Sequence, residues 1–156
     1  METVSGSCRL GLWYVQVYWS GDEVRRIRFS RTGIEGSVPL LIQQYCAGKP
    51  VDLRAFASIA IQDDTPYSRI YRAVREIPYG KTATYGEIAR NVGTSPRAVG
   101  QAMARNPTPL VIPCHRVVAA TGTGGFSPEI GIKELLLEME RKGKKILQKT
   151  RAQTTT

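Results

Sequence analysis

The chain has 156 residues, 42% of them hydrophobic, enough to bury the core of one ordinary domain or of two small packed lobes. It holds no run of about 18 apolar residues, and no basic segment leads into an apolar stretch at its start. Neither a membrane span nor a secretory leader is expected, and the cytoplasm is the expected compartment. The net charge of +9 is unevenly placed: residues 1–64 carry seven basic and seven acidic side chains, whereas residues 65–156 carry fifteen basic and six acidic ones. A basic half joined to a neutral half points to a polyanionic partner, although six of those fifteen basic residues fall in 141–151 and could simply form a basic tail.

In chain order, Leu10–Trp19 is rich in Val, Tyr and Trp and reads as a strand. Ser20-Gly21-Asp22 is a turn signal. Val24–Phe29 alternates with one slip, which predicts a β-hairpin. Val38–Cys46 reads as a short helix, and Val51–Ile61 as a further strand or an extended connection. Residues 1–64 carry no catalytic signature and are expected to act as a scaffold. A boundary falls near Asp63-Asp64-Thr65-Pro66, where Thr65 can cap a helix with Pro66 at its first position. Ile70, Val74 and Ile77 share a face of that helix, and Pro78-Tyr79-Gly80 stops it.

Thr84 and Glu87 have capping-box spacing, and Gly93 can end the helix they open in a left-handed conformation. Ser95 can cap a second helix at once, with Pro96 at its first position, and Asn106-Pro107 ends it. Two short helices joined by a tight turn make a helix-turn-helix. Ala98, Gly100, Ala102 and Ala104 keep the second helix slim, so a partner's backbone can approach closely. Arg97 lies in its first turn, where free amides can meet a phosphate. Leu110–Val118 is apolar and β-branched, interrupted by Pro113-Cys114-His115-Arg116. Thr121–Ser127 is a glycine-rich loop. Pro128 and Glu129 open a last helix with Ile132, Leu135, Leu136 and Met139 on its inner face. Gly143 is expected to end that helix, leaving 144–156 as a frayed or disordered basic tail.

The cysteines are Cys8, Cys46 and Cys114. Without a C-x-x-C pair they fit neither a disulfide framework nor a four-cysteine zinc site. No metal is expected, a reducing compartment is the simplest reading, and a Cys8–Cys46 bridge is the pairing left open. Cys114 stands out because His115, the one histidine of the chain, adjoins it. A nucleophilic cysteine must lose its proton, and His115 is the obvious base. Adjacent side chains in extended backbone point to opposite faces, so a bridging water is expected between them. An acidic partner would hold the imidazole. Glu140 is the first candidate, and periodicity alone leaves Glu138 and Glu134 open.

Ile112-Pro113-Cys114-His115-Arg116-Val117-Val118 resembles the active-site signature of the O6-alkylguanine-DNA alkyltransferases. Tyr85-Gly86-Glu87-Ile88-Ala89, Arg97-Ala98-Val99-Gly100, Arg105-Asn106-Pro107 and Gly124-Gly125-Phe126-Ser127 resemble that family's helix-turn-helix, hinge and substrate loop. The likeness runs from about Thr65 to Gly143. It implies an α+β fold: a small ribonuclease H-like α/β lobe (1–64) packed on a mostly helical lobe (65–143) with a winged helix-turn-helix-like motif. It implies DNA repair by irreversible transfer of a methyl or other alkyl group from guanine O6, and more weakly from thymine O4, to Cys114 after nucleotide flipping.

His115, with Glu140 behind it, would generate the thiolate. Asn106 would brace the hinge, and Tyr85 would protonate the leaving base. Arg97 would fill the gap left in the duplex, with Thr84, Ser95, Ala98, Gly100 and Arg105 also on the DNA face. Val117, Gly124, Phe126 and Ser127 would line the pocket. Double-stranded DNA, gripped through its minor groove, is the implied partner of a monomer that needs no cofactor. Phe126 departs from the family's usual Tyr, which places more weight on Ser127. The alternative is a non-catalytic sensor of alkylated guanine, which would lack the acceptor cysteine. A Cys-His hydrolase would need an oxyanion site, and a plain helix-turn-helix regulator would need no Cys-His pair.

Overall fold

The computed structural model describes residues 2–122 and 130–154. It is a mixed α/β chain with two buried clusters. The first half holds a four-stranded sheet in the order β1-β2-β3-β4, formed by β1 (Val4–Leu10), β2 (Trp13–Ser20), β3 (Glu23–Ser30) and β4 (Ala57–Ser58). Its first three strands are antiparallel, and β4 joins β3 in parallel. The expected hairpin is β2–β3. The slip in its alternation is a β-bulge: Tyr18 faces Arg26 while Trp19 faces Val24, leaving Arg25 as the extra residue. The bulge lets Val24 and Ile27 both point into the core.

Three expectations for this half need correction. Leu10 closes a separate strand, β1, which the sequence reading missed because Ser5, Gly6 and Ser7 carry little β propensity. The helix α1 covers Leu40–Cys46, shorter by Val38 and Pro39. Val51–Ile61 is mostly 3₁₀ turns at Leu53–Ala55 and Ile59–Ile61 around the two-residue β4, because Asp52 and Ser58 bond the backbone two residues ahead.

The second half follows its caps closely. Helix α2 (Pro66–Arg75) begins at Thr65, which forms a reciprocal capping box with Ser68. Helix α3 (Tyr85–Val92) begins with the Thr84–Glu87 box and ends at Gly93, whose φ of 84° is the left-handed cap a glycine tolerates. Helix α4 (Pro96–Ala104) is capped by the Ser95 hydroxyl. Strand β5 (Ala83–Thr84) pairs in parallel with β6 (Val117–Val118). That pairing sets the start of α3 beside the Pro-Cys-His-Arg segment.

Between α4 and that segment, Leu110 adopts a φ of 77°, rare for a branched side chain. The turn sends Leu110 and Val111 into the first cluster, whereas Ile112 enters the second. The two halves are thus sewn together by three consecutive side chains.

The last helix, α5, runs Ile130–Thr154, so the stop expected at Gly143 does not occur and 144–154 are helical rather than frayed. Gly143 instead serves packing: a Cβ there would lie 2.3 Å from the Tyr79 hydroxyl oxygen. Among the described residues no helix is long and apolar enough to cross a membrane.

Candidate active site

Cys114, His115 and Arg116 form a 3₁₀ turn, not the extended backbone expected for them. Pro113 sits at a ψ of 68°, and the Arg116 amide donates to the Pro113 carbonyl at 2.9 Å, closing the turn. The three side chains therefore fan out over about one turn and reach different partners.

His115 is fully buried. Its Nε2 lies 2.6 Å from Glu140 Oε2 and 3.2 Å from the Tyr45 hydroxyl. Arg116 grips the same carboxylate with two prongs, Nε at 2.9 Å from Oε1 and Nη2 at 3.0 Å from Oε2, and donates its Nη1 to the Ile77 carbonyl at 2.7 Å. The Gly80 amide donates to Glu140 Oε1 at 3.0 Å, and the Tyr45 hydroxyl donates to Oε2. Burial opposes ionisation of Glu140, but His115 and Arg116 together hold its carboxyl well below the ordinary range. The three carboxylates left open by periodicity are now distinguished. Glu134 is exposed, and Glu138 pairs with Arg141 at the surface.

Burial lowers the basicity of His115, and the Glu140 charge works against that shift. Its Nδ1 is buried and has no hydrogen-bond partner among the described residues. A proton acceptor is thus held in place from behind, with its front nitrogen open.

Cys114 is 4% exposed. Burial pushes its thiol up to about 11, opposed by a hydrogen bond from the Asn106 side chain and by the Lys133 charge. Asn106 ties the end of α4 to the segment before Cys114: its Nδ2 donates to the Ile112 carbonyl at 2.8 Å and its Oδ1 accepts from the Thr108 amide at 3.0 Å. A cleft of about 200 Å³ opens onto Cys114 between Phe29 of β3, Met103 of α4, Asn106 and Pro109. Tyr85, half-buried at the start of α3, has its hydroxyl pKa raised by burial and by nearby Cys114.

Three participants escaped the sequence reading. Tyr45 comes from the half taken as scaffold; a Tyr in a short amphipathic helix carries no signal of its own. Arg116 lies inside the motif, but its tie to Glu140 spans 24 positions. Lys133 is fully buried, with Nζ 2.6 Å from the Val117 carbonyl and 5.7 Å from the centre of the Tyr85 ring. A charged residue between the inward-facing Ile132 and Leu136 was the available clue.

On the α4 side, Arg97 is exposed in the first turn, Ala98 and Gly100 are half-buried, and a Cβ on Gly100 would meet nothing within 4 Å. Thr84 and Ser95 are occupied as caps. Arg105 donates to the Tyr67 hydroxyl at 2.7 Å, which fixes its guanidinium beside the end of α4. Val117, three residues after Cys114, is fully buried in the second cluster and packed away from solvent. Gly124, Phe126 and Ser127 lie outside the described residues.

Residues 65–142 match the family model described as "6-O-methylguanine DNA methyltransferase, DNA binding domain". A curated relative from Saccharolobus islandicus (strain L.S.2.15 / Lassen #1), named methylated-DNA–protein-cysteine methyltransferase, is 45% identical over 97 residues, which is 62% of this chain and 62% of the relative. The matched part thus spans less than two thirds of that relative's length. The crystal structure of Mycobacterium tuberculosis O6-methylguanine methyltransferase superposes with a TM-score of 0.73 at 27% identity, covering 90% of this chain and 94% of the other. A structure of the protein from the same organism in complex with DNA gives 0.71 at 27% identity, covering 88% and 92%.

Proposed function

Since this chain belongs to the O6-methylguanine DNA methyltransferase family, we propose that it repairs alkylated guanine in duplex DNA by taking the alkyl group onto Cys114. The observation that carries this reading is the union of one buried thiol with an anchored imidazole: Cys114 precedes a His115 whose Nε2 is locked on Glu140 while its Nδ1 stays open.

In the proposed reaction the Cys114 proton passes to His115 Nδ1 through water, and Glu140 stabilises the resulting imidazolium. The sulfur then attacks the alkyl carbon in line with the O6–carbon bond. A carbon–sulfur bond forms as the carbon–oxygen bond breaks, and the electron pair leaves with the guanine. Tyr85 supplies the proton that neutralises the departing base. The thioether product has no group that water can displace readily, so each molecule reacts once. No metal or organic cofactor enters this scheme.

The target atom lies within a stacked duplex, so the nucleotide must be extruded. Arg97, exposed at the front of a helix made slim by Ala98 and Gly100, is proposed to enter the minor groove and replace the missing stack. Thr84, Ser95 and Arg105 would contact the backbone nearby, and Gly124, Phe126 and Ser127 would line the pocket. Thymine O4 would be a weaker substrate of the same pocket. The antiparallel strands with α1 across them support the ribonuclease H-like reading of the first half, and α3, α4 and the β5–β6 pair support the winged helix-turn-helix reading of the second.

The test is an oligonucleotide duplex carrying O6-methylguanine, followed by intact mass and a peptide map. One added methyl group on the peptide that holds Cys114, absent in Cys114→Ser, is the expected result. Binding with no gain in mass, or repeated turnover, overturns the proposal.

A further inference from the structure

The first half of the chain, expected to be a scaffold, sends one side chain into the buried network. Tyr45 lies at the end of α1 and is 1% exposed. Its ring is fixed by neighbours from the second half, edge-on to Tyr79 with centroids 6.1 Å apart and tilted against His115 at 6.5 Å. Burial, and then the charge of Glu140, push its hydroxyl well above the ordinary 10, so it stays protonated and donates.

The carboxylate it meets is crowded. Glu140 Oε1 accepts from Arg116 Nε and from the Gly80 amide. Oε2 accepts from Arg116 Nη2, from His115 Nε2 and from the Tyr45 hydroxyl. Glu140 is held ionised, so it has no proton to give and each contact must supply one. His115 is therefore the tautomer with its proton on Nε2 and a bare Nδ1. A carboxylate oxygen offers about two lone-pair sites, and three donors share those of Oε2.

We propose that Tyr45 is a positioning residue that competes with His115 for Glu140 Oε2, and so keeps the imidazole neutral until Cys114 gives up its proton. The role rests on the reading of His115 as the base for Cys114. An imidazole that is already protonated cannot take the thiol proton, so a base held too tightly by its carboxylate is spent in advance. Each donor that stabilises the carboxylate weakens its hold on the imidazolium. The phenol oxygen also lies 3.2 Å from Nε2 and attracts that N–H, which works the other way. The carboxylate is a full charge at 2.6 Å and is the principal acceptor, so competition outweighs that attraction. Burial is the largest influence lowering the basicity of His115, and the charges of Arg116 in its own turn and of Lys133 on α5 act in the same direction. Tyr45→Phe leaves all of these in place.

His115 is the one histidine of the chain, so isotope-labelled histidine gives a single imidazole to follow by nitrogen NMR. Wild type should show the Nε2–H tautomer at neutral pH, a reading that needs no variant. In Tyr45→Phe the titration midpoint should rise by about one pH unit, and the acid limb of single-turnover transfer from an O6-methylguanine duplex should move up with it. Tyr79→Phe is the control: it removes a neighbouring buried hydroxyl that has no hydrogen-bond partner among the described residues, and it should move neither. Where the wild-type midpoint lies below the pH of acid unfolding, a midpoint within the folded range in Tyr45→Phe alone supports the proposal, and no titration in any of the three proteins counts against it. A wild-type proton on Nδ1, an unchanged or lower midpoint in Tyr45→Phe, or an equal rise in Tyr79→Phe overturns it. Absence of transfer by folded wild type at every pH would instead refute the role of Cys114, and the NMR midpoints would still decide the competition at Oε2.

Discussion

Replacing Glu140 with Gln is the sharpest test of the buried network, because the wild-type carboxylate is the one atom group that all its neighbours share. Arg116 reaches it at 2.9 and 3.0 Å, His115 at 2.6 Å and the Gly80 amide at 3.0 Å. Glutamine keeps the shape and one acceptor oxygen but presents an NH₂ group to donors and removes the charge that balances Arg116. Breaking one side of a buried ion pair costs about 3–5 kcal/mol, and the retained oxygen argues for the lower end. At about 2–4 °C per kcal/mol for a chain of this size, the melting temperature should fall by about 6–12 °C. Glu138→Gln is the control: it removes an exposed pair with Arg141 and should leave the melting temperature essentially unchanged. Thermal melts by circular dichroism at neutral pH measure both. Single-turnover transfer from an O6-methylguanine duplex, measured on the folded protein well below the melt, should also slow at least tenfold in Glu140→Gln, since the imidazolium loses its counter-charge. Equal melting shifts for the two variants would refute the assignment of Glu140 as the anchor of the site.

Other consequences follow from the same geometry. Acid should destabilise the protein: His115 is held below its ordinary 6.5 and Glu140 below 4.5, so the unfolded chain binds more protons, and stability drops first as pH falls through 6.5 and further below 4.5. Chemical denaturation from pH 8 to pH 4 should show that slope, and a flat profile would contradict it. At the alkaline end the sign reverses for Cys114, which is pushed from 9.0 to about 11: its contribution is intact below 9.0 and is lost as pH rises toward 11. Wild type should therefore lose about 2–3 kcal/mol more than Cys114→Ser across that interval, read from paired denaturation curves. Lys133→Met should slow transfer by roughly tenfold, and the pH–rate profile should move to higher pH, because a cation beside the sulfur is lost. Arg97→Ala should impair repair of duplex DNA more than reaction with free O6-alkylguanine, and equal losses would remove Arg97 from flipping. Gly100→Ala and Gly143→Ala separate two uses of glycine: the first should keep or slightly raise the melting temperature while weakening DNA binding, and the second should cost roughly 1–3 kcal/mol of stability through overpacking against Tyr79, read as a lower melting temperature.

What the sequence revealed was whatever had a local cause. The Thr84–Glu87 box, the Ser95 cap and the left-handed Gly93 depend on residues within a few positions of each other, and all stand where their spacing placed them. The bulge in β3 was visible as a slip in the alternation, though its meaning needed the partner strand. Three features were hidden. β1 is built from Ser and Gly, and it forms because a neighbouring strand offers it a full ladder. Gly143 is a packing glycine inside α5 rather than a helix stop, and its reason is Tyr79, more than 60 residues away, which fills the space a side chain there would need. The turn at Cys114, closed by the Arg116 amide on the Pro113 carbonyl, presents the Arg116 side chain to Glu140 across 24 positions, a contact that the β-branched character of the segment does not signal.

A thiol buried until it titrates near 11 looks a poor choice for a nucleophile at neutral pH. The difficulty dissolves when the charge is followed along the proposed reaction. The resting thiolate would be a full charge in an apolar setting, offset by Asn106, by Lys133 and by the Cys114 and His115 backbone amides. As the carbon–sulfur bond forms, that charge spreads toward the guanine oxygen, and the product thioether carries none. Surroundings that penalise the thiolate penalise the transition state less and the product not at all. Burial therefore keeps the sulfur protonated, and so protected from adventitious oxidants, until an alkyl carbon is presented to it. The Glu140 network serves the same economy of charge. It keeps His115 ready to carry a positive charge briefly, next to a carboxylate already balanced by Arg116, so that the net charge of the cluster never strays far from neutrality. A site tuned to hold a permanent thiolate would suit repeated turnover; one that disfavours it until the carbon arrives suits a protein that reacts once.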